Sequence, residues 1–244
     1  MALNFNWEML LEPSLFTEDP WWLYILYGAG WTIGLAVSAF ALALAVGIVI
    51  GTLRTVENRF VRGFCEAWIE LFRNIPLIVQ IFLWYFVLPE LVAPYKEWMI
   101  SAPPVASQFL SAFLCLGLFT SSRVAEQVRA GIVSIPRGLF SAAKALGLRA
   151  TQSYAHVVLP MALRIVLPPL TSEAMNLIKN TAVALTIGLP ELTMRANEMG
   201  ENTFEFFAAY LWATVLYIAI SLSAGRLMAA LERKSAIPGF IATR

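Results

Sequence analysis

The sequence predicts an all-α integral membrane protein with about five transmembrane helices, and three observations carry that prediction. Of the 244 residues, 59% are hydrophobic and 14% charged, with mean hydropathy +0.70, whereas a soluble domain carries about 25% charged residues. The apolar residues fall in runs close to the ~20 needed to cross a bilayer. The bases gather in alternate loops, as the positive-inside rule requires of a multi-pass chain.

Taken in order, the first twenty residues contain no Lys or Arg, so no basic start of a cleaved signal peptide is expected. Glu8, Glu12, Glu18 and Asp19, with Trp7, Trp21 and Trp22, predict an acidic leader in the headgroup zone. The first span covers about 22–53 and carries Gly28, Gly30, Gly34, Ala41, Ala45, Gly47 and Gly51. Such small residues let another helix approach closely. The second span covers about 64–88, and Pro76 breaks its ladder by denying a donor to the Phe72 carbonyl. Residues 89–106 read as a proline-rich loop. The third span is about 108–128, the fourth about 168–189 with Pro168-Pro169 in its first turn, and the fifth about 207–231. Between the last two, 190–206 reads as an acidic loop with Arg195 as its single base.

One side of the membrane then receives Arg54, Arg59, Arg62, Arg137, Lys144, Arg149, Arg164, Arg233 and Lys234; the other receives Lys96 and Arg195. This predicts an N-terminus outside, a C-terminus inside, and a cytoplasmic loop at 134–160. That loop is the polar interruption of the chain. Good helix formers from Ser141 lead to Gly147, suited to a left-handed helix end. Thr151 reads as the N-cap of a second short helix stopped by Pro160. A compact knob of this kind suits docking onto another protein.

Ionisable groups inside a span are costly and so mark function by default. On the third span Arg123, Glu126 and Arg129 share a face, and Thr120, Ser121 and Ser122 beside Arg123 would complete a carboxylate site. On the fourth, Glu173, Asn176 and Asn180 form one stripe, with Lys179 close to mid-membrane. Arg73 and Gln80 flank the Pro76 break and join the candidate substrate path. Arg73, Arg123 and Lys179 outweigh Glu126 and Glu173, so an acidic amino acid is drawn in and a cationic one repelled. The remaining aromatics, Trp84, Tyr85, Phe86, Trp212 and Tyr217, read as belt and packing residues.

Other chemistries fail on residue supply. The lone His156 sits in the knob, so no base stands near a membrane nucleophile. Cys65 and Cys115 make neither a metal site nor a disulfide framework and read as inert packing residues. No phosphate loop of the form G-x-x-x-x-G-K-[ST] is present, so any ATP hydrolysis belongs to another chain. No internal repeat is visible, nothing points to nucleic acid, and a purely structural subunit leaves the buried charges unexplained.

The motifs also resemble a known family. Ser141-Ala142-Ala143, three residues, Gly147, nine residues and Val157-Val158-Leu159-Pro160 are similar to the E-A-A-x-x-x-G-x9-I-x-L-P signature of permease subunits of bacterial ABC importers. Phe72-Arg73-Asn74-Ile75-Pro76-Leu77-Ile78-Val79-Gln80 resembles the F-R-x-x-P-L-x-V-Q stretch of the polar amino-acid branch, and the likeness covers roughly 20–235. With LGLFTSSRVAEQVRAGI and NLIKNTAV, the chain looks most like glutamate/aspartate permeases. The resemblance implies the fold of a type I importer permease in the bacterial inner membrane, with its N-terminus periplasmic. It implies contact of Ser141, Ala142, Ala143, Gly147 and Leu148 with a two-copy ATPase that holds ATP and Mg, while this chain binds no cofactor. A periplasmic amino-acid-binding protein and a second permease subunit, homologous or identical, are the other implied partners. Ser141 stands where the signature has glutamate, which removes one acidic contact toward the ATPase. The same mechanism with glutamine, arginine or histidine as substrate is the alternative.

Overall fold

The computed structural model describes residues 7–235. Its regular elements are helical; the only bridge of β type among the described residues joins Pro13 to Pro20. A 3-10 turn, Trp7–Leu11, precedes α1 (Trp21–Leu53) and α2 (Arg59–Asn74). Next come α3 (Leu77–Phe82), a π turn at Leu83–Val87, α4 (Leu88–Leu91) and α5 (Ala93–Ser101). Then α6 (Pro104–Val133), α7 (Arg137–Ala145), α8 (Ala150–Ser153), a π turn at Tyr154–Val158 and α9 (Leu159–Asn180) follow. A 3-10 segment, Thr181–Ile187, leads to α10 (Leu192–Thr203) and α11 (Phe206–Ser235). Four segments are long and apolar enough to cross a membrane, and a fifth is counted when α2 and the helix Leu77–Leu91 are taken as one broken span.

The chain divides into two compact units. One holds the chain up to Phe40 with Pro76–Gly117 and Asn176–Ser223; the other holds Ala41–Ile75, Leu118–Met175 and the chain from Ala224. In the first, Trp21, Tyr24, Ile25 and Ala29 of α1 cluster with Leu192, Ala196 and Met199 of α10 and the alanines 208, 209 and 213 of α11. In the second, Val124, Val128 and Ile132 of α6 pack with Ala162, Val166 and Leu170 of α9. Lipid is as apolar as a leucine side chain, so close packing rather than burial must hold such helices together. Gly47 and Gly51 supply it: a Cβ would stand 2.6 Å from the Val124 side chain at the first and 2.5 Å from the Ala125 carbonyl at the second. Gly30 and Gly34, expected to do the same, have nothing within 4 Å.

The break expected in the second span at Pro76 is present: α2 stops at Asn74, and Ile75 is extended (φ −93°, ψ 129°). Proline at 76 disfavours the helical region for the residue before it. Several other expectations are corrected. The loop 89–106 holds α4 and α5, each with proline in its first turn, where the missing N–H costs nothing. The fourth span does not begin at Pro168-Pro169; α9 starts at Leu159 and carries both prolines inside. Prolines at 168 and 169 withhold donors from the Arg164 and Ile165 carbonyls, which membrane helices tolerate where neighbouring groups re-satisfy the backbone. Pro160 does not stop the preceding helix either. A π turn before it carries the ladder forward, with the Leu159 N–H donating to the Tyr154 carbonyl. The N-cap of α8 is Arg149, not Thr151, and its N–H is taken by Gln152 Oε1 at 2.9 Å. The loop 190–206 contains α10, because Glu191 caps it by accepting from the Met194 N–H at 2.8 Å. Trp21 is 2% exposed and in edge contact with Tyr24, so its ring is packed within the protein.

Candidate functional site

In the second unit α6 presents two charge clusters one turn apart. At the first, Arg123 stands 3.7 Å from a Glu173 oxygen of α9 and lies over the Phe119 ring, 5.0 Å from its centre. Gln127 Nε2 donates to the other Glu173 oxygen at 3.2 Å, while its own Oε1 is buried without a partner. The Arg123 side chain is 42% exposed, so part of it remains open beside the ion pair. Thr120, Ser121 and Ser122 do not complete a carboxylate site. All three are buried, and the two serines donate to carbonyls of their own helix, Ser121 to Leu118 and Ser122 to Phe119.

At the second cluster Glu126 is held by Arg54 through one oxygen and lies 3.7 Å from Arg129 through the other. Arg54 also stands 3.7 Å from Glu66 of α2. One carboxylate between two guanidiniums ties the end of α1 to α6. Sequence reasoning placed Glu126 on the path and gave Arg54 only a topological role. The two are 72 residues apart, and no local pattern announces the pair. Gln127 was also missed, although it lies four residues after Arg123 and so on its face. Arg73 is exposed at the end of α2.

In the first unit, Gln80 is buried on α3, which packs against the 3-10 segment Thr181–Ile187. Asn176 and Asn180 are half-buried on α9, and Lys179 is exposed. Another network, unforeseen, closes around α10. Glu191 is fully buried and accepts from Tyr217 Oη at 2.7 Å and from the Met194 N–H, with Thr32 Oγ1 at 3.5 Å. Burial pushes its carboxyl above the usual carboxylate range, against the pull of these hydrogen bonds. Tyr217, read as a belt residue, is thus a polar link, and its hydroxyl also meets Thr193 at 2.9 Å. Arg195 lies over the Tyr24 ring, 4.1 Å from its centre, and bonds the Tyr24 hydroxyl and Glu198.

In the loop after α6, the chain leaves α7 through Gly147 at φ +82°. The Gly147 N–H donates to the Lys144 carbonyl at 3.0 Å and the Leu148 N–H to Ala143 at 3.2 Å, so left-handed glycine closes the helix end as expected. Ser141, Ala142, Lys144 and Gly147 are exposed, Leu146 is 82% exposed, and Leu148 is half-buried. Ala143 turns inward at 4% exposure, so it packs the helix down rather than offering a contact.

Comparison with known proteins shows the family and the fold. The family of binding-protein-dependent transport system inner membrane components matches residues 43–237. The glutamate/aspartate import permease protein GltJ of Escherichia coli (strain K12) is 43% identical over 242 residues, 98% of either chain. The glutamate/aspartate import permease protein GltK of Escherichia coli O157:H7 is 29% identical over 96% of this chain and 99% of its own. Among solved structures, an amino acid ABC transporter with histidines gives a TM-score of 0.71 at 24% identity, covering 87% of this chain and 94% of the other. The inward-facing methionine transporter MetNI gives 0.73 at 17%, covering 88% and 97%. The fold is therefore that of an ABC importer permease. The helices that cross the membrane, the broken second span and the matched residues together make this chain a member of the binding-protein-dependent transport system inner membrane components, a multi-pass permease subunit rather than an enzyme.

Proposed function

We propose that this permease passes acidic amino acids, glutamate and aspartate, across the bacterial inner membrane. The observation that carries the reading is the 43% identity to a glutamate/aspartate permease along 98% of both chains. The exposed Arg123 and Lys179 support it, since each offers a cation to a carboxylate. Arg123 and Glu173, steadied by Gln127, line one stretch of the path; Asn176, Lys179, Asn180 and Gln80 line another; Arg73 adds positive potential. Glu126 serves the path indirectly, by fixing α6 through Arg54.

ATP with Mg sits on a two-copy ATPase that contacts the exposed face of α7, with Ser141, Ala142, Gly147 and Leu148 at the contact. Leu146, exposed and apolar, extends that contact where Ser141 has removed an acid. A periplasmic binding protein delivers substrate, and a second permease completes the pore; the 29% identity to GltK favours a related chain as that second subunit. The N-terminus lies in the periplasm and the C-terminus in the cytoplasm, by the distribution of bases. The test is uptake of labelled glutamate, aspartate, glutamine and arginine by proteoliposomes holding the full complex. Uptake of the acidic pair alone is expected. Uptake of arginine or glutamine with the acids excluded overturns the substrate assignment.

A further inference from the structure

Three observations in the first unit meet at one open-sided cavity of about 300 Å³, lined by Lys179 of α9 and by Thr214, Tyr217, Ile218, Ser221 and Leu222 of α11. The size is at the lower end of small-molecule pockets. The first observation is the ammonium: among the described residues no ion pair or hydrogen bond holds it. It is far from either end of its segment. The 3-10 segment that follows, Thr181–Ile187, rises about 2 Å per residue, which puts Lys179 on the order of 15 Å from that end, half of a ~30 Å hydrocarbon core. The last turn of α9 is a favourable place for a cation, but that gain is several-fold smaller than the cost of a bare ammonium at such depth.

The second observation is Ser221. The neighbouring hydroxyls on α11 donate back to their own helix, Thr214 to the Tyr210 carbonyl at 2.7 Å and Ser223 to Ala219 at 2.7 Å. Ser221 has no such bond among the described residues, so its donor is left for something in the cavity. The third is Tyr217, whose hydroxyl is anchored on Glu191 and Thr193, so its ring is a fixed wall.

We propose that this cavity is a carboxylate subsite of the transport path, in which Lys179 supplies the charge and Ser221 a directed hydrogen bond, with Thr214 and the Tyr217 ring shaping the space. The inference rests on the function proposed above and adds α11, to which the sequence assigned no role, as a specificity-determining helix. An ammonium and a hydroxyl on two different helices fix both the charge and the direction of the bound group, which a point charge alone does not.

The test uses the complete complex in proteoliposomes with Cys65→Ala and Cys115→Ala, so that Ser221→Cys is the only thiol of this subunit. A membrane-impermeant, negatively charged methanethiosulfonate reagent should modify the introduced thiol, glutamate should slow the modification about tenfold, and arginine should not. In a second arm, Ser221→Ala should raise the half-saturating glutamate concentration for uptake about tenfold, the loss expected for one hydrogen bond to a charged group. Absence of labelling, or labelling that glutamate does not slow while the wild-type complex imports glutamate, overturns the subsite and leaves the substrate assignment standing. A wild-type complex that imports no acidic amino acid instead overturns the reading beneath it. Loss of the second permease from the purified complex in Lys179→Gln, with glutamate protection absent, assigns the ammonium to an acid of that subunit and also overturns the subsite.

Discussion

Arg123 and Glu126 stand one turn apart on α6, and both are charged in a segment read as membrane-spanning, yet their surroundings differ. Glu126 lies between two guanidiniums, bonded to Arg54 and 3.7 Å from Arg129, while the buried Arg129 Nε is left without a partner. Arg123 faces a single carboxylate at 3.7 Å, with its side chain 42% exposed and a buried Gln127 oxygen left unbonded beside it. The lesson is that a charge within a span is not one kind of evidence. A closed cluster fixes helices; an open one has capacity to spare for a ligand. The first unit repeats the contrast, with Glu191 and Arg195 each held by several polar contacts and Lys179 without an ion pair among the described residues.

The strongest way to break the comparison is to crowd the packing beneath the closed cluster. Gly51→Leu puts a side chain where the Ala125 carbonyl already lies 2.5 Å from a Cβ, and overpacking of this kind costs about 1–3 kcal/mol or more. A large fall in the thermal midpoint and in yield of the assembled complex is expected. Next is Glu126→Gln, which leaves Arg54 with only the longer contact to Glu66. The pair is part-exposed, so the cost falls between that of a surface pair, under about 1 kcal/mol, and the ~3–5 of a buried one. The thermal midpoint should drop, with glutamate-stimulated ATP hydrolysis unchanged per folded complex.

Glu191→Gln sharpens the contrast through pH. Burial raises the folded-state pKa of Glu191, so folding favours its protonated form relative to the unfolded chain. Its contribution is complete below the ordinary carboxylate range and is lost as pH rises through the raised value. Melting curves from acid pH upward should therefore show wild type losing stability relative to the variant. The smallest effect expected is at Gly147→Ala, where φ +82° strains any side chain by about 1 kcal/mol. A severalfold drop in coupling, seen as ATP hydrolysis less stimulated by substrate, should accompany a nearly unchanged melting point.

Much of this architecture was legible in the chain. The long apolar runs locate the four long crossing helices, and the left-handed end at Gly147 follows from local chemistry. The three charged positions on α6 were visible, but not their division of labour, because Arg54 and Glu126 meet only through tertiary packing. Hydroxyls misled as well: Ser121 and Ser122 read as ligands and serve their own helix. Prolines misled also. A rule that treats Pro160 and Pro168 as boundaries fails here: a π turn carries the backbone past the first, and α9 runs on through the second. The helix α10 was hidden because its cap is a buried glutamate, which composition places in an acidic loop.

The most direct test of the distinction between open and closed clusters is to measure, on one preparation each of Arg123→Gln and Glu126→Gln, both the thermal midpoint and the glutamate dependence of ATP hydrolysis. The prediction is a clean split: Arg123→Gln keeps its midpoint and loses at least tenfold in stimulation, while Glu126→Gln loses several degrees and keeps its stimulation. If both variants move both quantities together, the two clusters are one structural network and Arg123 has no separate claim on the substrate.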